Sequence, residues 1–188
     1  YTDEENNILL RFGKVFQQAY TRFLDLQKAE SQAREAQVEA ALERVRSRSL
    51  AMHTSNEIGE VIWIIVDKMK GLNIDAQGIS VATFIPNSKD ILHWHANTEV
   101  VGEASTMMMP YFDNLILNDC INARDAGMDL LVKQYSKKEK DNYTRSAIKH
   151  TDFKSFPEKI KQWIFEQPSL NFSFAIQKHS GIFLEDYR

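Results

Sequence analysis

No glycine occurs between Gly13 and Gly59, and the first proline of the chain is Pro86. A stretch so free of helix breakers predicts one helix from about Asp3 to about His53, on the order of 75 Å long at 1.5 Å per residue. A domain built from the remaining residues would be far shorter. At 188 residues, 43% of them hydrophobic, the chain has material for one core of ordinary size. One compact domain with a helical extension is therefore expected.

The helix divides by the width of its apolar stripe. Its first half carries Ile8, Leu9, Phe12, Val15, Phe16, Ala19, Tyr20, Phe23 and Leu24, a broad face of the kind that packs onto a core. In its second half Ala29, Ala33, Ala36 and Ala40 follow steps of four and three, and Val38, Leu42, Val45 and Met52 then take over one position out of register. A stripe this narrow suits a helix partner, because small residues let two backbones come close. The slip at Val38 makes the seam something other than a strict heptad. The alternative is a solvated helix kept soluble by charges such as Glu30 and Arg34. Pairing is favoured over it, because most helix stability in proteins comes from burying an apolar face. The interface residues expected on the helix are Phe12, Phe16, Ala19, Phe23, Ala33, Ala40, Leu42 and Val45, in a homodimer whose helices run parallel or antiparallel.

Beyond His53 the pattern changes. Thr54 with Glu57 reads as a capping box opening a new, largely buried helix, NEIGEVIWIIVDKMKG, that ends at Gly71. The period then switches to two. Residues 79–85 and 91–97 alternate around the turn Pro86-Asn87-Ser88-Lys89-Asp90 and form a hairpin, and a weaker strand covers Ala104 to Met109. A helix is expected from Tyr111, with Phe112, Leu115, Ile116, Cys120 and Ala123 on one side and Gly127 closing it. The run MDLLVKQYS reads as a strand. Ser136 with Glu139 and Ser155 with Glu158 read as two further capping boxes, and two strands around Lys178-His179-Ser180-Gly181 end the chain. The expected fold class is α+β, with an antiparallel sheet of five or six strands flanked by helices.

Several function classes are disfavoured. The 26 acidic and 23 basic residues nearly balance, so no global field argues for nucleic acid or a membrane surface. No apolar run approaches the roughly 20 residues needed to span a bilayer. The single cysteine, Cys120, excludes an intramolecular disulfide and fits a reducing compartment, with the cytoplasm as the default. There is no dinucleotide fingerprint, Walker loop, HExxH or nucleophile elbow, so no catalytic residue is assigned and no enzyme activity is expected of this chain. His93 and His95, two apart on one strand face, supply two corners of a metal site and no identifiable third, so neither metal nor cofactor is expected. Cys120 reads as an inert core thiol. Trp94, His95, Met107, Met109, Phe112 and Phe174, with Met108 beside them, are the candidate lining of a small-molecule cavity between sheet and helices, against the simpler reading that they fill the core.

The run RFGKVFQQAYTRFLDLQKAESQAREAQVEAALERVRSRSLAMHTSNEI resembles a connector of large bacterial signal-transduction proteins, where it joins successive GAF-like sensor modules and leads toward a histidine kinase output. The resemblance is close over about the first 60 residues; the remainder is similar to a GAF module in the order of its elements. It implies a six-stranded antiparallel sheet behind a leading helix, a pocket between sheet and helices, and a closing helix after the last strand. The last of these is missing before Arg188. On this reading residues 1–27 resemble the closing helix of an upstream module, 28–53 are a coiled-coil linker and 54–188 are a GAF-like domain, all cut from a longer sensor. His53 is followed by Thr54-Ser55-Asn56, unlike the phosphoacceptor box of the kinases. The resemblance implies a sensory relay module of a two-component protein, with neighbouring sensor and kinase domains as partners; the alternative is a structural spacer that enforces dimerisation.

Overall fold

The computed structural model describes residues 1–54, 57–74, 76–96 and 104–188. The expected helix start at Asn56 and strand end at Asn97 lie outside them. The chain divides into two units, Tyr1–Arg46 and Ser47–Arg188, a boundary that falls inside the first helix and ahead of the expected division at residue 53.

The first unit is helical from Asp3 onward. It holds most of α1 (Asp3–Leu50), which begins with Asp3, Glu4 and Glu5 in its first turn, where carboxylates favour the positive end of the helix dipole. Phe16, Tyr20 and Phe23 stack in succession with centroids 6.1 Å apart at each step. Phe12 and Phe16 are about as exposed as each other, at 70% and 71%, and Phe23 is 50% exposed. Ala19, Ala33, Ala40 and Leu42 are exposed as well, and Val45 is partly buried.

The second unit is α+β. Its six strands are β1 (Gly78–Phe84), β2 (Ile91–Ala96), β3 (Ala104–Met109), β4 (Leu130–Ser136), β5 (Ser169–Ile176) and β6 (Ser180–Asp186). All neighbours pair antiparallel in the order β3-β2-β1-β6-β5-β4. The helices are α2 (Ile58–Gly71), α3 (Leu115–Asp125), α4 (Lys137–His150) and α5 (Glu158–Glu166).

Four helix starts show how local chemistry sets these bounds. Ser136 and Glu139 form the reciprocal capping box expected at α4. The expected box at Ser155 and Glu158 does not form, because Ser155 Oγ donates to the carbonyl of Asp152 while Pro157 stands at the cap of α5. Thr54 and Glu57 make half of theirs: Glu57 Oε1 accepts from the backbone N–H of His53 and Thr54, without a side-chain cap on α2. The helix expected from Tyr111 starts later, at Leu115, because extended Asn114 caps it through Ile116 N–H. Phe112 therefore sits ahead of that helix.

Alternation sorts the strand residues onto two faces. One face carries Ser80, Ala82, His93, His95, Met107, Met109, Leu170, Phe172, Phe174, Phe183 and Tyr135. With Ile116, Leu117, Cys120 and Ala123 of α3, most of these form the main core. Gly181 on β6 has no room for a Cβ, which would meet the Phe174 ring, the nearest atom being its Cε2, and the Ala175 carbonyl. Glycine there lets the ring lie flat across the neighbouring strand. On the other face α2 packs against β1, β2 and β3. That face stays bare over β4, where Leu130 and Val132 are 53% and 67% exposed. No helix among the described residues is long and apolar enough to cross a membrane.

Candidate functional site

The main-core face is not filled evenly. Between β1, β2, β3 and β6 on one side and α4, α5 and Phe153–Phe156 on the other lies a cleft of about 340 Å³, within the size range of small-molecule sites. A second cavity of about 20 Å³, lined by Cys120, Phe174 and Tyr143 among others, shares His93, Tyr143, Phe183 and Glu185 with it.

The walls are mostly apolar. Met107 and Met109 come from β3, Phe183 from β6, Ala147 from α4, and Ile160, Trp163 and Ile164 from α5. Phe153 and Phe156 pack ring on ring at 4.5 Å, and the Trp163 ring meets Tyr187 edge on at 5.4 Å. These pairs hold the aromatic sides of the cleft in place.

The polar groups gather where β2, β1 and β6 run side by side. Ser80 pairs across the sheet with Phe183 of β6, and its Oγ lies 2.9 Å from His95 Nδ1. His95 Nε2 is buried and has no partner among the described residues. Burial lowers the pKa of His95, and it drives that of His93 down to about 3 with help from the neighbouring His95, so both rings are neutral. Glu185 pairs with Gly78, and a Cβ on Gly78 would stand 2.8 Å from Glu185 Oε2. Glycine at this position lets the carboxyl lie over β1. Burial raises the Glu185 pKa to about 7, against a hydrogen bond from Tyr187 that lowers it. Lys70, on an exposed stretch of α2, is the basic residue at the rim.

Of the residues expected to line a cavity, His95, Met107 and Met109 line the cleft and Phe174 lines the smaller cavity. Trp94 is on the opposite face of β2, where its indole N–H donates to Thr83 Oγ1 at 3.1 Å. Phe112 stacks on His150 at 5.1 Å, and Met108, on the same side of the sheet as Trp94, is exposed. Burial raises the Cys120 thiol to about 12, the state of an unreactive core cysteine. Among the described residues no group of three or more His, Cys, Asp or Glu is placed to hold a metal ion.

Sequence reasoning passed over Ser80, Tyr143, Glu185 and Tyr187. One signal was present: in IFLEDY, Glu185 shares the phase of Phe183, so an acid takes a position whose strand neighbours face inward.

Comparison with known proteins gives no further guide, since no family model, no curated protein and no solved structure matches the chain.

Proposed function

We propose that the chain is a non-catalytic sensory relay module of the GAF type from a bacterial two-component protein. Its second unit receives a small molecule, and its leading helix pairs with a second copy and passes the signal to a kinase domain elsewhere in the full protein. The observation that carries this reading is the cleft, whose size suits a small molecule and whose polar end keeps His95 Nε2 unpaired. A spacer has no use for such a space, because packing it would add stability.

The relay half of the reading rests on α1. A helix with an aromatic ladder exposed along it gains stability from a partner that covers it. Transmission requires a two-state element biased by the ligand. The junction at Glu57, where α2 starts without a side-chain cap, is where we place it.

A metabolite library screened by thermal shift tests the sensory half. At least one compound is expected to raise the Tm by several degrees, and Ala147→Leu, which adds bulk to the cleft wall, is expected to abolish the shift while leaving the fold intact by circular dichroism. A screen without such a compound overturns the sensory reading in favour of the spacer. For the helix, light scattering is expected to report a dimer that Phe16→Asp converts to a monomer. A wild-type monomer would overturn the pairing.

A further inference from the structure

The chemistry of the cleft narrows what it takes, on the reading that it binds a small molecule at all. Anions are poorly served. Among the described residues the two histidines that line it are neutral, no arginine lines it, and its lysine stands exposed at the rim. Phosphate or carboxylate recognition needs charge-assisted donors at the centre of a site.

A cation is better served. Among the described residues Glu185 is the one carboxylic acid that lines the cleft, and no lysine or arginine pairs with it. A half-buried acid without a counter-charge is an incomplete arrangement unless a ligand supplies the charge. Around it stand the rings of Tyr143, Trp163, Phe183 and Tyr187, whose faces attract cations.

We propose that the cleft is a receptor site for a small protonated amine on a flat aromatic body, with Glu185 as its counter-charge and the rings of Tyr143, Trp163 and Tyr187 as its walls. His95 Nε2 accepts a second amine proton when His95 Nδ1–H donates to Ser80 Oγ, a tautomer that the 2.9 Å contact accommodates.

The proposal has a protonic consequence. The titratable groups coupled to Glu185 are Tyr187 just past the end of its strand, Tyr143 from α4 and Cys120 from α3, and those that line the cleft with it are His93 and His95 from β2 and Lys70 from α2. Burial raises the pKa of both tyrosines and of the thiol, so those three stay neutral, and the histidines are neutral as well. Glu185 is therefore the group that answers an incoming cation. With its pKa raised to about 7, Glu185 carries a proton in part of the free protein near neutral pH, and the amine drives it to the carboxylate, releasing that proton.

Calorimetric titration of the 188-residue chain with phenethylamine, 2-phenylethanol and 3-phenylpropionate tests this, because the three share one ring and differ in charge. The amine is expected to bind at least tenfold more tightly than the other two, with proton release read from buffers of different ionisation enthalpy. Glu185→Gln is expected to reduce the amine to the affinity of the alcohol. Gly78→Ala, whose new Cβ displaces the carboxyl without removing it, is expected to weaken the preference. Alcohol or carboxylate binding as tightly as the amine, or an amine preference that survives Glu185→Gln, overturns the amine class and leaves the sensory reading standing. Failure of all three to bind also overturns it, and the sensory reading falls with it only if the metabolite screen finds no compound either.

Discussion

One face of one sheet is built in two ways. Over β4 and β5, Tyr135, Leu170 and Phe174 are fully buried, and Tyr135 O–H donates to Asp119 Oδ2 of α3 at 2.8 Å. Over β1, β2 and β3 the same face opens into the cleft, although Met107, Met109 and His93 are buried there too. The packed half has its large side chains in mutual contact, Phe174 meeting Phe84, Phe172 and Phe183 at centroid distances of 6.2, 6.0 and 5.9 Å. In the open half the rings touch in separate pairs, His93 on Phe183 at 5.0 Å and Phe153 on Phe156 at 4.5 Å, and the cleft lies between the pairs.

The sharpest way to break this comparison is to truncate a side chain in each half. Phe174→Ala is expected to cost about 4 kcal/mol in chemical denaturation, the upper part of the range for core phenylalanines, because its ring is fixed on three sides and the neighbours cannot close over the space. Met107→Ala, facing space that already exists, is expected to cost about 2 kcal/mol, the lower end of the range for a buried methionine, since little new cavity is made. Equal costs would show that the cleft closes in solution. The smallest effect sharpens the comparison through pH. Burial raises Glu185, so its contribution is complete below the ordinary glutamate pKa and is lost as pH rises through about 7. Burial lowers His93, so its contribution is complete above the ordinary histidine pKa and is lost as pH falls toward about 3. Urea midpoints measured across pH are expected to show Glu185→Gln gaining on the wild type between the ordinary glutamate value and about 7. Parallel pH profiles would mean that Glu185 is hydrated in the folded protein.

The outline of the fold was legible in the sequence because period and punctuation are local. The absence of breakers announced α1, alternation announced the strands, and Ser136 with Glu139 announced α4. The helix after β3 was placed too early because Phe112 fits the apolar period of Leu115 and Ile116, and only the backbone of Asn114 shows where the turn begins. The box at Ser155 went unmade because Pro157 governs the local path. The cleft was legible in part. His95, Met107 and Met109 follow from strand phase, and so does the placement of Trp94 opposite them once the phase is applied strictly. Glu185, Tyr143 and Tyr187 meet across elements 40 residues or more apart at their widest, since α4 and β6 come together only through the sheet order, which no local pattern states.

Near the end of α1 one guanidinium serves two carboxylates: Arg48 reaches Glu57 and Glu60 of the next helical segment, both at 2.8 Å. The hydrogen bond from Arg48, with those from His53 and Thr54, holds Glu57 down at about 2, so Glu57 stays ionised throughout the physiological range. Because successive residues of a helix point about 100° apart, a slip of one residue past Arg48 would turn both acids off target together. The fork thus singles out one register of Arg48 against the two acids, a preference that added salt weakens.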